Sequence, residues 1–161
     1  MRMSSLKSWL VRALIAPGLA ACLLTLPAAA VDMPRDKDAV IDYIRTAIET
    51  KDYDMLREMV FWKDTGKIKK RIVRFHLARS LGRPIKSITW EPFPEDGFDA
   101  AVATGKLAPN MDVSHAVRVI FDEEPINEAG KQPTAVFLVG MRKDVYRIGL
   151  VNRAGFDDDD D

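Results

Sequence analysis

The stretch TGKIKKRIVRFHLARSLGRPIKSITWE, residues 65–91, contains the change of hydrophobic period that decides the fold. Its first part has the apolar spacing of a helix, which we expect to begin near Thr65 and to end at Leu81. Gly82 directly after that end and Pro84 behind it are common helix stop signals. After Pro84 apolar and polar residues alternate, which is the period of a half-buried strand. The chain therefore has helices first and strands afterwards.

Two further helices are predicted upstream of this stretch. Asp36 can cap a helix that runs to about Glu49, and Asp52 can cap a second, shorter helix, because aspartate accepts from the first free N–H groups. The apolar residues of both recur at helical spacing. They are Val40, Ile44, Ala47, Ile48, Leu56, Met59 and Val60, with Tyr43 beside the first stripe.

Downstream, period-two alternation predicts a meander of antiparallel strands. The predicted strands cover 85–91, 98–102, 113–121, 135–141 and 145–151. We expect 113–121 to be the longest strand, and 135–141 to be central in the sheet because it is apolar on both faces. Residues 142–144 predict a tight hairpin turn. The fold class is therefore α+β, with three N-terminal helices packed on a curved antiparallel sheet of four to five strands, a cone-like α+β roll.

The chain of 161 residues is long enough for one domain, and its 47% hydrophobic content excludes a wholly disordered protein. Its net charge is zero, from 24 bases and 24 acids, but the charge is unevenly distributed. Residues 63–86 contain nine bases and the single acid Asp64, whereas residues 157–161 are five aspartates. The sequence contains no nucleotide-binding, hydrolase or zinc motif.

The N-terminus has the pattern of a secretory signal peptide. The bases Arg2, Lys7 and Arg12 precede an uncharged run, and residues 28–30 are all alanine. We expect cleavage after Ala30 and a periplasmic or secreted product. The predicted organisation is a signal peptide over 1–30, a linker over 31–35, the α+β domain over 36–153 and a disordered acidic tail over 154–161.

Two alternatives for the N-terminus stay open. Residues 19–22 end in Cys22 and fit a bacterial lipoprotein box, although the apolar run continues beyond that cysteine. The uncharged stretch 13–31 is close to the length of a membrane anchor, but Pro17 and Pro27 interrupt it. Cys22 is the only cysteine, so we expect no disulfide in the domain.

The second helix begins with the pattern Asp52-Tyr53-Asp54-x-Leu56, and a long third helix and antiparallel strands joined by a hairpin follow it. This pattern and order of elements resembles the nuclear transport factor two-like superfamily. Within it, the chain is similar to small secreted bacterial members of unassigned function. The resemblance covers about residues 36–152 and rests on element order. It implies a cystatin-like roll whose sheet wraps around the third helix and leaves a cone-shaped hollow. This sequence has no evident strand between the second and third helices, which many members have.

Superfamily members that act as isomerases or cyclases place an acid or histidine in the hollow, opposite a tyrosine or aspartate. No such base–donor pair is evident here, so the resemblance assigns no catalytic residue. His115, on the apolar face of its predicted strand, is a weak candidate base. His76 lies at the edge of the third helix. With no cysteine near either histidine, we expect neither a metal site nor a cofactor.

Seven aromatic and histidine side chains are placed where a hollow could be lined. The candidate pocket residues are Tyr43, Phe61, Trp62, Phe75, His76, Trp90 and His115. The basic helix offers a second kind of site, for a polyanion or an anionic lipid surface. The candidate anion-binding residues are Lys67, Lys69, Lys70, Arg71 and Arg74. Export makes nucleic acid an unlikely partner.

These observations leave three functions open. The first is an exported, non-catalytic domain that binds a small apolar ligand or a protein partner, with a homodimer through the outer sheet face as an option. The second is an isomerase, cyclase or hydrolase that uses His115 as base. The third is an anionic-surface binder that uses the basic segment 63–86.

Overall fold

The computed structural model describes residues 32–93, 97–126 and 130–153, and these residues form an α+β domain. The helices are α1 (Lys37–Glu49), α2 (Tyr53–Met59), α3 (Lys67–Ser80) and α4 (Phe98–Ala103). The strands are β1 (Ile85–Pro92), β2 (Leu107–Pro109), β3 (His115–Phe121), β4 (Thr134–Arg142), β5 (Val145–Ile148) and β6 (Val151–Arg153). The α+β class is confirmed. The predicted signal peptide and acidic tail lie outside the described residues.

Both predicted aspartate caps are confirmed. The Asp36 side chain accepts from the backbone N–H of Ala39 at 2.8 Å and starts α1. The Asp52 side chain accepts from Met55 at 3.0 Å and starts α2. Each cap satisfies an N–H group that the helix leaves without an internal partner. The two helices then pack their apolar residues into the core as the spacing predicts.

α3 ends where the sequence predicts, but it contributes little to the core. Gly82 follows the helix with a positive φ of 70°, a conformation that glycine adopts without strain. Its N–H donates to the carbonyl of Ile48 at 2.7 Å and ties the end of α3 to α1. Of the 14 residues of α3, only Leu77 and Ser80 are fully buried. Most of this helix therefore faces solvent or an open space.

The main sheet is antiparallel, with the strand order β1-β3-β4-β5. One face carries the core, because Val117, Val119, Phe121, Phe137 and Val139 are buried beneath α1 and α2. β2 and β6 form a separate two-stranded sheet. The sheet thus has four strands, within the predicted range, and 134–142 lies inside it.

Three parts of the strand prediction are wrong: the strand over 98–102, the choice of 113–121 as the longest strand, and the single strand over 145–151. Residues 98–102 belong to α4, a helix that starts after Gly97. The alternation of Phe98 with Val102 suggested a strand, but the residues between them are mainly alanine. Alanine has the highest intrinsic helix propensity, so the local preference determines the structure of this short segment.

The longest strand is β4, with nine residues, whereas β3 has seven and begins only at His115. The chain before β3 crosses closely over the sheet at Gly140. A Cβ built on Gly140 would lie 1.9 Å from the carbonyl oxygen of Asp112, so only glycine fits there. Residues 113–114 precede the strand, although the Ser114 N–H still donates to the Val139 carbonyl at 2.9 Å.

The third wrong prediction is a single strand over 145–151. β5 stops at Ile148, and β6 starts at Val151 as a strand of the other sheet. Between them, Leu150 exchanges two hydrogen bonds with Asn110: its N–H donates to the Asn110 Oδ1 at 2.8 Å, and its carbonyl accepts from the Asn110 N–H at 2.9 Å. These bonds direct the chain away from β4.

The hairpin between β4 and β5 has the predicted tight turn. Lys143 and Asp144 both have positive φ values, 51° and 62°. Two consecutive left-handed residues are typical of the type I′ turn, whose twist matches that of antiparallel strands. The turn sets the register that pairs Arg142 with Val145.

We expect Asn110→Ala to be strongly destabilising. It removes the acceptor of the Leu150 N–H and the donor that reaches the Phe61 carbonyl at 2.6 Å. Leaving such part-buried groups unpaired costs about 2–3 kcal/mol in the free energy of unfolding. Urea denaturation measures this loss. Asn152→Ala is the matched control, with an expected loss below about 1 kcal/mol. Equal losses in the two variants would contradict the role of Asn110.

Candidate functional site

The first half of β4 has an open edge in the part of the chain that the structure describes. β3 pairs with β4 over 134–139, but β5 pairs only over 139–142. The carbonyl of Pro133 accepts from Phe121 on the β3 side, and that of Leu138 accepts from Gly149 on the other side. Since backbone groups alternate between the two edges of a strand, those of Thr134 and Val136 point to the open edge.

A groove of about 840 Å³ separates this edge from α3. Its volume is within the range of sites for small molecules. The apolar part of its wall comes from the helix, from β4 and from the segment after β5. These lining residues are Val73, Leu77, Val136, Phe137, Leu138 and Leu150.

An ion pair between Arg83 and Glu123 lines the groove. Two hydrogen bonds join them, from Nε at 2.7 Å and from Nη2 at 2.6 Å. The guanidinium also lies 3.9 Å from the ring centroid of the buried Phe121. A two-point pair of this kind fixes both side chains in one geometry.

The pair changes the proton affinity of Glu123. The hydrogen bond from Arg83 lowers the pKa of the Glu123 carboxyl below its usual value, and the positive charge of Arg83 adds to this against a smaller opposing effect of desolvation. The same hydrogen bond raises the pKa of Arg83. Glu123 is therefore ionised at neutral pH and is a weak base.

A second cavity of about 330 Å³ lies on the other side of Lys69, between α3 and β6. Ile68 and Ile72 form its helix wall. Both cavities are lined by Lys69 and Val151, and the Lys69 ammonium donates to the Val151 carbonyl at 2.6 Å. This bond places a positive charge at the junction of the two cavities.

Of the seven predicted pocket residues, His76 lines the larger groove. Tyr43 is buried in the core, where its hydroxyl donates to the Met55 carbonyl at 3.1 Å and ties α1 to α2. Burial, with the nearby charges of Glu58 and Asp52, raises the pKa of Tyr43 to about 12. Its hydroxyl is thus a structural donor at neutral pH.

Phe61 and Trp62 lie on the connection between α2 and α3. The indole N–H of Trp62 donates to the Arg57 carbonyl at 2.9 Å. The Arg142 guanidinium lies 4.3 Å from the Phe61 ring centroid. Neither aromatic side chain is among the residues that line the two cavities described above. Phe75, on α3, is exposed.

The structure brings Trp90 and His115 together on the core side of β1 and β3. Their ring centroids are 4.6 Å apart, and Tyr146 packs edge-on against Trp90 at 5.4 Å. His115 Nδ1 lies 3.0 Å from the Ser114 hydroxyl oxygen. His115 is half-buried, and it does not line the groove beside α3.

The five predicted anion-binding residues divide into two groups. Lys67, Arg71 and Arg74 are exposed, whereas Lys69 and Lys70 are half-buried. Lys69 uses one of its three N–H donors on Val151. The exposed charge of α3 is thus carried mainly by the first group.

No family model, no curated protein and no solved structure matches this chain. Within the described ranges, no group of three or more histidine, cysteine, aspartate or glutamate side chains could hold a metal ion. The same residues include no helix that is both long and apolar enough to cross a bilayer.

Sequence reasoning missed most of the groove. The edge of β4 and the Arg83–Glu123 pair were not among the predicted site residues. The pair joins residues 40 positions apart, and no local pattern indicates it. The sequence signal for β4 is that residues 135–141 are apolar on both faces, and the structure exposes Val136 on the face opposite the core.

The Arg83–Glu123 pair predicts a defined pH dependence of stability. The pKa of Glu123 is lower in the folded state than its unfolded value of about 4.3. The stabilisation by the pair is therefore complete above that value and is lost as the pH falls through the folded pKa. We expect the difference in urea midpoint between wild type and Glu123→Gln to shrink from about pH 7 to about pH 3.

Glu124→Gln is the matched control, because Glu124 is the exposed neighbour of Glu123. We expect it to change the midpoint little at either pH. A midpoint difference for Glu123→Gln that stays constant over the whole pH range would contradict the assigned ion pair.

Proposed function

We propose that this domain is a non-catalytic binding domain that takes a small apolar ligand in the groove between α3 and β4. The observation that carries the proposal is the distribution of exposed large apolar side chains. Among the described residues, these are Ile68, Ile72, Phe75, Ile126, Val136 and Met141. Ile126 and Val136 line this groove, and Ile68 and Ile72 line the second cavity beside it, at 46–67% exposure. Apolar surface concentrated around a cavity is typical of a ligand site.

The charged side chains that line the groove are the bases Lys69, Arg79 and Arg83 and the acids Glu123 and Glu124. The bases suit a ligand with one anionic or acceptor end. Lys69 keeps two N–H donors after its bond to Val151. Arg79 lies at the same wall, whereas Arg83 is already engaged by Glu123. A ligand with an apolar body and a single negative group would pack against the apolar wall and accept hydrogen bonds from the remaining N–H donors of Lys69.

Two features favour binding over catalysis. The ion-paired Glu123 is a poor general base, because its pKa is lowered by Arg83. His115, the base of the enzymatic alternative, stacks on Trp90 away from this groove. The enzymatic alternative stays a prediction and would need a different site, beside His115.

We also propose that the domain is a member of the nuclear transport factor two-like superfamily. The order of three helices before an antiparallel sheet supports this, as does a groove between the third helix and the sheet. Between α2 and α3, where many members of the superfamily have a strand, Val60 makes a single parallel bridge with Ile148. The cone-like shape, export, the lipidated Cys22 and the homodimer stay predictions.

Binding of a neutral fluorophore, N-phenyl-naphthylamine, tests the proposed ligand site. We expect saturable binding to the wild-type protein with increased fluorescence. Val136→Glu and Ile126→Glu each place a charge at the groove on a side chain that is already exposed. Each should weaken binding at least about fivefold, because an ionised group must then be desolvated or displaced.

Met141→Glu is the matched control, since Met141 is equally exposed on the same strand but does not line the groove. We expect it, and His115→Ala, to bind the fluorophore as the wild type does. An equal loss in Met141→Glu, or the absence of saturable binding, would overturn the proposal. A loss confined to His115→Ala would instead favour a site at the other end of the sheet.

A further inference from the structure

α3 carries a second apolar stripe that faces away from the core. Ile68, Ile72 and Phe75 are spaced by four and three residues, so they lie on one side of the helix. They are 46%, 47% and 57% exposed, whereas the core-facing Leu77 is buried. A surface helix of a globular protein normally has only one apolar side. Ile68 and Ile72 also line the second cavity, but none of the three side chains belongs to the core.

The stripe is bordered by positive charge. All charged residues of α3 are basic, six in fourteen positions. In helical projection Arg71 lies beside the stripe, Lys67 and Arg74 lie farther round the helix, and all three are exposed. The Arg79 guanidinium lies 5.6 Å from the Phe75 ring centroid. Acids that could neutralise the helix from within it are absent.

The combination of an exposed apolar stripe with surrounding positive charge distinguishes between possible anionic partners. A nucleic acid is bound mainly through phosphate contacts, for which exposed isoleucine and phenylalanine have no use. A bilayer surface offers anionic phosphates and, a few ångströms deeper, acyl chains. Helices that lie in this interface combine a basic polar face with exposed bulky apolar residues, which is the composition of α3.

We infer that α3 docks on the surface of an anionic phospholipid bilayer. Ile68, Ile72 and Phe75 enter the boundary between headgroups and acyl chains, while Lys67 and Arg71 contact lipid phosphates. Arg79 falls within the stripe in helical projection and also lines the groove, so docking would bring that groove next to the lipid. The inference stands on α3 alone and does not require the ligand site.

The first test is co-sedimentation with vesicles of phosphatidylcholine alone and of phosphatidylcholine with phosphatidylglycerol. The full chain is expressed, and intact mass confirms that all variants have the same processed form. We expect binding to the anionic vesicles only, and weaker binding at high salt. Lys67→Glu with Arg71→Glu should weaken it at least about 20-fold. Ile72→Ser with Phe75→Ser should weaken it about tenfold.

The controls change the same residue types elsewhere on the surface. Lys86→Glu with Lys106→Glu reverses two exposed charges outside α3, and Met141→Ser removes an exposed apolar side chain of the sheet. Both controls should bind as the wild type does. Equal losses in the controls and in the α3 variants would overturn the inference. So would a loss on charge reversal alone, because that result describes a polyanion site without insertion.

A local probe decides whether the stripe itself meets the lipid. In a Cys22→Ser background, a nitrobenzoxadiazole fluorophore is attached to Phe75→Cys or, as control, to Met141→Cys. We expect the emission to shift to the blue on anionic vesicles at position 75 and not at position 141. Equal shifts at both positions would contradict the inference. A blue-shifted spectrum at position 75 before vesicles are added would also contradict it, because the stripe would then be covered by protein.

Discussion

Asn110 joins three parts of the domain that are distant in the sequence. Its side-chain amide donates to the carbonyls of Phe61 and Lys63 at 2.6 and 3.0 Å, just before α3. Its Oδ1 and its backbone N–H bind both backbone groups of Leu150. Through these bonds one residue fixes the entry to α3 and turns the chain after β5 towards β6.

The turn at Leu150 has a direct consequence for the sheet. Because the pairing with β5 ends at Val139 and Gly149 donates to Leu138, the edge of residues 134–137 faces α3 with no further strand in the described chain. The N–H and C=O groups of this edge have no strand partner and need other hydrogen-bond partners. The apolar side chains of α3 therefore do not pack along the whole edge. It contacts the core mainly through Leu77, and the space beside it is the groove. The groove thus follows from the turn at Leu150.

The sequence predicts the ends of the helices, because each end depends on a few neighbouring residues. The caps at Asp36 and Asp52 and the helix end at Gly82 follow from single residues and their neighbours. The bonds of Asn110 to Phe61 and Leu150 span 49 and 40 positions, so no window of sequence indicates them. The same holds for the groove, whose wall combines α3 with β4. Aromatic residues were a poor guide to it, because most of them pack in the core or on loops.

The central claim is that the space between α3 and the open edge of β4 binds an apolar ligand. Amide chemical-shift mapping of the ¹⁵N-labelled protein during titration with N-phenyl-naphthylamine tests this most directly. The account predicts saturable shifts that are largest in residues 69–80 and 134–138. Largest shifts around Trp90 and His115, or shifts that do not saturate, would contradict it.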